Sequence, residues 1–218
     1  MGHDAVTPYY SDDLVTIYHG DCREWMPEAD VLITDPPYGV DFTGKTTKHT
    51  VNDNEYTVGD DALVGPEVVA AYLPTVKRGA VFPGIRQMFR YPEPWDVGCV
   101  YCPSGAGQGR WGWTMFNPVL FYGKRPTSES YPSSMTSFAT ADYMAKDHPC
   151  PKPLSWMTWL VGLASLANET VVDPFMGSGT TLFAAKSLGR RAIGIEIEER
   201  YCEIAARRCS QEVLGLGA

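Results

Sequence analysis

Thr170-Val171-Val172-Asp173-Pro174-Phe175-Met176-Gly177-Ser178-Gly179-Thr180-Thr181 is the stretch that decides the fold. A β-branched run ends on a carboxylate, passes through a glycine turn and opens a helix predicted over 180–188. Gly189 follows as a natural left-handed cap, and a second apolar run over 192–197 carries Glu196 near its end. Strand, turn, helix and strand in that order make one βαβ unit.

The same alternation extends outward. Strands are predicted over 14–18, 31–34, 80–82, 97–102 and 119–122, and a helix over 66–76 from Val69, Tyr72, Leu73 and Val76. Leu154, Met157, Val161 and Ala164 predict a helix over 154–166, and 198–209 reads as the last helix. Glu198 and Glu199 lie in the first turn of that last helix and Arg207 and Arg208 in its last, which suits the helix dipole. These elements imply an α/β fold with a doubly wound, mostly parallel sheet. Between them lie a polar stretch, 39–60, expected to be a mobile loop; a glycine-rich turn, 105–112, containing Arg110; and a polar insertion, 124–147.

A chain of 218 residues with 44% hydrophobic content fits one domain spanning 1–218. The sequence has no apolar run of membrane-spanning length and no secretory pattern after Met1-Gly2-His3-Asp4, so a cytoplasmic protein with reduced thiols is expected. The net charge of −8 is unevenly spread. Residues 1–109 carry 7 Lys+Arg against 16 Asp+Glu, giving −9, and 110–218 carry 11 against 10, giving +1. Phosphate binding needs a local positive surface rather than a positive total, so this acidity weakens a nucleic-acid reading without closing it.

The glycine turn departs from a dinucleotide fingerprint, because position 182 is Leu where a third glycine would stand. Glycines at 177 and 179 let backbone approach a ligand at a helix N-terminus. Glu196 ends the next strand, where a ribose diol would lie in a βαβ nucleotide site. Asp173 at the strand end disfavours phosphate and favours a cationic or hydroxyl-rich ligand. S-adenosylmethionine, with its ammonium group and ribose, meets both demands.

A second motif, Asp35-Pro36-Pro37-Tyr38, follows the strand over 31–34. Alone it reads equally as a rigid surface turn. Paired with the glycine turn it reads as a clamp for a planar exocyclic amine. The lone pair of such an amine is delocalised into the ring. The Asp35 carboxylate and the Pro36 carbonyl can accept its two N–H groups and favour a more tetrahedral nitrogen. Pro36 and Pro37 stiffen the turn, and Tyr38 offers a ring face on which a base can stack.

With these segments in place, the chain resembles the amino-methylating DNA methyltransferases of the β-class, in which Asp-Pro-Pro-Tyr precedes the cofactor motif. The resemblance rests on His19-Gly20-Asp21-Cys22, Asp35 to Tyr38, Asn117 to Lys124, His148-Pro149-Cys150-Pro151-Lys152-Pro153, and Asp173 to Thr181 with Gly194 to Tyr201. It implies a Rossmann-like sheet of the S-adenosylmethionine-dependent methyltransferase type with circularly permuted motif order. It also implies a cofactor set of Asp21, Cys22, Lys152, Asp173, Pro174, Phe175, Gly177, Ser178, Gly179, Thr180 and Glu196, with Asp21 near the adenine and Lys152 near the methionine end. The catalytic set would be Asp35, Pro36, Pro37 and Tyr38, and Asp rather than Ser at position 35 leans towards N6 of adenine over N4 of cytosine.

The expected partner is DNA, as a duplex with a flipped base or as a single strand. The insertion over 124–147 is shorter than the recognition segments common in that family. A short recognition site, or a homodimer that completes the DNA surface, would reconcile this. Lys45, Lys48, Arg110, Trp111, Lys124 and Arg125 are the candidate DNA contacts, although each cation taken singly reads first as solvated surface charge.

Other signals are discounted. Cys99-x-x-Cys102 lies in an apolar run with no second pair, so buried thiols are expected rather than a metal site. Trp156 and Trp159 read as core. A nicotinamide-dependent dehydrogenase would leave Asp35 to Tyr38 without a role, and a non-catalytic binding module would tolerate loss of Asp35.

Overall fold

The computed structural model describes residues 7–38, 64–103, 107–108, 111–126, 135–137 and 152–211. The loop expected over 39–60 and most of the insertion over 124–147 lie outside them, as do Lys45, Lys48 and Arg110. The strands are β1 (Tyr10–Ser11), β2 (Val15–His19), β3 (Val31–Thr34), β4 (Arg78–Val81), β5 (Asp96–Tyr101), β6 (Gly107–Gln108), β7 (Trp113–Thr114), β8 (Phe116–Tyr122), β9 (Met135–Ser137), β10 (Thr170–Asp173) and β11 (Arg191–Glu196). The helices are α1 (Gly65–Tyr72), α2 (Leu154–Ala164), α3 (Thr180–Ser187) and α4 (Glu199–Ser210). Among the described residues no helix is long and apolar enough to cross a membrane.

Among the described residues nine strands form one sheet in the order β1-β2-β11-β10-β3-β4-β8-β5-β9. The run from β2 through β11, β10 and β3 to β4 is parallel throughout. All five therefore end at one edge. β8 runs antiparallel to both β4 and β5.

Period-two alternation builds two cores. Val31, Ile33, Ala80 and Val171 point to one face, where Trp156, Met157, Leu160 and Val161 of α2 and Leu182, Ala184 and Ala185 of α3 cover them. Leu32, Val81 and Val172 point to the other, against Val68, Val69 and Tyr72 of α1. Helices on both faces explain why these strands are apolar without a solvent side.

Three local features differ from the sequence expectations. The spacing predicts a helix to position 76, but α1 stops at Tyr72 because Pro74 has no N–H to continue the ladder. Within and after the turn expected over 105–112, β6 and β7 pair antiparallel, with Gly107 opposite Thr114 and Gln108 opposite Trp113. Short edge strands β1 and β9 extend the sheet, and Asp12 Oδ1 shapes the β1–β2 turn by accepting the Leu14 and Val15 amides.

Gly179 has a tertiary reason as well as a local one. It opens α3 at φ +77°, and a Cβ there would lie 2.7 Å from the Ala205 Cβ of α4. The missing side chain admits α4. Gly179→Ala is expected to destabilise the fold by about 2–4 kcal/mol, read as a lower urea midpoint at unchanged slope.

Candidate active site

The site begins at the ends of β3 and β10, neighbours in the sheet. Thr34 closes β3 and Asp173 closes β10, and both are buried. Thr34 Oγ1 donates to Asp173 Oδ1 at 2.7 Å, Thr181 Oγ1 of α3 donates to Oδ2 at 2.6 Å, and the Phe175 amide donates to Oδ1 at 3.1 Å. Burial pushes the Asp173 carboxyl up to about 6 against the downward pull of those donors. This carboxylate faces the protein rather than the edge. Its effect is to lock the strand that leads into Asp35 to the strand and helix that flank the glycine turn.

Glu196, at the end of β11, is the carboxylate that serves the edge. Its Oε2 accepts the Gly177 amide at 3.0 Å and its Oε1 the Glu198 amide at 2.9 Å. Burial dominates and raises its carboxyl to about 7. On the adjoining strand the Gly20 amide donates to the Glu196 carbonyl at 2.9 Å, and a Cβ at Gly20 would meet nothing within 4 Å. Asp21 follows, its carboxyl held below the usual range first by the hydrogen bond from Arg23.

The residues of the glycine motif divide by exposure. Phe175 and Gly177 are partly exposed, whereas Pro174, Ser178, Gly179 and Thr180 are buried. Arg208 of α4 donates to the Ser178 carbonyl at 3.1 Å and to Thr180 Oγ1 at 2.8 Å, so these two hold the turn in shape. Cys22 packs into the α1-side core, and burial pushes its thiol up to about 12. The partly exposed set is thus Gly20, Asp21, Phe175 and Gly177, with the buried Glu196 carboxylate bonded to the Gly177 amide. Two carboxylates, a bare glycine backbone and a half-buried ring suit hydroxyls and positive charge, and they are hostile to phosphate.

The second half lies past β3. Tyr38 Oη donates to Asp35 Oδ1, and Lys152 Nζ donates to Asp35 Oδ2 at 2.5 Å and to Tyr38 Oη at 2.9 Å. The ammonium also lies 5.2 Å from the Tyr38 ring centroid and 5.5 Å from that of Phe82. Burial, and then the Asp35 carboxylate, hold the Tyr38 phenol well above its usual range. Lys152, assigned by resemblance to the cofactor's methionine end, is seated here on the carboxylate of the amine clamp. The clamp turn is itself gripped. A Cβ at Gly65 would lie 2.6 Å from the Pro36 Cβ, and one at Gly84 (φ +66°) would lie 2.8 Å from Tyr38 Cδ1. Gln87 Nε2 donates to the Tyr38 carbonyl at 3.2 Å.

Thr34, Thr181, Gly84 and Gln87 are site-supporting residues that the candidate catalytic and cofactor sets leave out. The one available signal for the first two is a hydroxyl at the last position of a buried strand and another in the first turn of the following helix. Of the candidate DNA contacts, Trp111 is fully exposed in the β5–β8 connection, which leaves the sheet at the edge that carries Asp35. Lys124 and Arg125 lie at the opposite edge. β8 is antiparallel, so Tyr122 pairs with Gly79, and Gly123 packs on the backbone of Lys77 where β4 begins. Trp156 is core, as expected, with its ring 6.2 Å from that of Phe82.

Residues 107–207 match the DNA methylase family of N6 and N4 type. The chain is 25% identical over 263 residues to the Type II methyltransferase M.ScaI of Streptomyces caespitosus, an alignment covering 96% of this chain and 86% of that one. It is 26% identical over 221 residues to the Type II methyltransferase M.HpaI of Haemophilus parainfluenzae, covering 85% and 69%. In fold it is similar to M1.HpyAVI in its complex with SAM, with a TM-score of 0.68 at 24% identity over 91% of this chain and 100% of that one. The cytosine-N4-specific PvuII DNA methyltransferase superposes with a TM-score of 0.62 at 19% identity, covering 94% and 89%. With its two motifs brought to one edge of one sheet, the chain is similar to the amino-methylating DNA methyltransferases.

Proposed function

We propose that this chain is an S-adenosylmethionine-dependent DNA methyltransferase of the restriction-modification type, and that its acceptor is the N6 amine of adenine. The observation that carries the reading is the Asp35 carboxylate, held by Tyr38 and Lys152 at the end of β3 and tied through Thr34 and Asp173 to the glycine turn. The Type II methyltransferases among its relatives support the restriction-modification setting.

Gly177, Phe175 and Glu196 would hold the cofactor, with Asp21 beyond them. The bound cofactor supplies an electrophilic methyl group. The rest of the chemistry belongs to the chain. Asp35 accepts one N–H of the incoming amine and the Pro36 carbonyl accepts the other, which localises the nitrogen lone pair. The proton that this nitrogen sheds on alkylation has the Asp35 carboxylate as its acceptor. Until a base arrives, the Lys152 ammonium fills the amine's seat, donating to Oδ2 beside the faces of Tyr38 and Phe82. A base paired inside a duplex cannot reach this seat, so the target must rotate out of the stack. N4 of cytosine presents the same pair of donors. Asp at position 35 favours adenine through the family resemblance.

Two outcomes are expected. Asp35→Asn should lower transfer of labelled methyl groups into DNA by about two to three orders of magnitude, while calorimetry finds cofactor binding largely retained. Transfer at the normal rate would sink the clamp mechanism. For Glu196, the ionised carboxylate is the better acceptor for two hydroxyl donors, and its carboxyl is raised from 4.5 to about 7. Cofactor affinity should therefore rise as pH increases through about 7 and level off above it. Glu196→Gln should bind about tenfold or more weakly and lose that pH step.

A further inference from the structure

Beside the clamp, the chain between β4 and β5 forms a stiff turn with an unusual outer face. β4 lies parallel to β3 with Val81 opposite Thr34, so this connection leaves the sheet next to Asp35. Its base is fastened from several sides. Gly84 lies under the Tyr38 ring, and Gln87 holds the Tyr38 carbonyl. The Met88 amide donates to the Gly84 carbonyl at 3.1 Å and the Arg90 amide to the Gln87 carbonyl at 2.8 Å. Met88 and Tyr91 pack into the α1-side core, and the Pro92 carbonyl accepts the Tyr122 hydroxyl at 2.9 Å. Outward from this fixed base stand Arg86, Phe89 and Arg90, and Phe89 is 88% exposed.

A phenyl ring held in water on the turn that also supports Tyr38, with an arginine on either side of it in sequence, is suited to one kind of partner. A duplex from which a base has rotated presents a gap walled by apolar base faces and bordered by phosphates. We propose that Phe89 enters that gap as a wedge while Arg86 and Arg90 take the flanking phosphates. This inference rests on the DNA methyltransferase reading above. It supplies a local positive surface that the charge of the whole chain does not.

The test uses the full-length protein with an unmethylated plasmid, offered as a duplex or heat-denatured to single strands. Phe89→Ala is expected to lower labelled methyl transfer into the duplex by about tenfold or more, because the rotated base is no longer replaced in the stack. Transfer into single strands, where nothing must be unstacked, is expected to stay near the unaltered level. Arg86→Ala and Arg90→Ala should each reduce the salt dependence of duplex binding by about one unit of log–log slope. Equal loss on both DNA forms, or loss on neither, would overturn the wedge while the activity reading stands. So would a change in the oligomeric mass of Phe89→Ala with the duplex-to-single-strand ratio unchanged, since the surface would then serve a second copy of the chain. An unaltered protein that methylates neither form would remove the activity reading and the wedge together.

Discussion

A carboxylate buried away from water must be surrounded by donors or forfeit its charge, and Asp173 is so placed. Its donors come from three directions: Thr34 on β3, Thr181 on α3 and the amide of Phe175 in the turn between β10 and α3. Losing any one leaves a buried group short of a partner at a cost of about 1–3 kcal/mol. The consequence is geometric. Thr34 precedes Asp35 directly, and Phe175 begins the turn that presents Gly177 to Glu196. The two halves of the site are therefore tied together, and on the proposed reading the separation between acceptor amine and methyl donor is set before either binds.

Around that tie, charge is distributed by task. Glu196, partly neutralised by burial, and Asp21, occupied by Arg23, lie on the side proposed for the cofactor. Asp35 and Lys152 balance each other on the acceptor side, so the clamp holds no uncompensated charge before a base enters. On the proposed reading, cations that meet a nucleic acid need only line the rim of the same edge, so a net charge of −8 and a DNA substrate are compatible.

The βαβ unit, the strand before Asp35 and the pairing of the two motifs were legible because each is local: period, glycine and proline chemistry act over a few residues. What was not legible depends on partners distant in sequence. Nothing near Lys152 announces Asp35, 117 positions away, and nothing near Thr34 announces Asp173. Nothing near Gly179 announces that α4 packs against it. The direction of a strand is likewise absent from its own residues. The antiparallel course of β8 carries Lys124 and Arg125 to the far edge, and the parallel course of β4 brings Phe89 to the near one.

The most direct measurement of the central claim is nucleoside mass spectrometry of DNA incubated with the pure protein and S-adenosylmethionine. The account predicts one new nucleoside, N6-methyladenosine in its deoxy form, appearing only when both protein and cofactor are present. N4-methylcytosine in its place would contradict the assignment of the acceptor while preserving the clamp, and the absence of any methylated base would contradict the account itself.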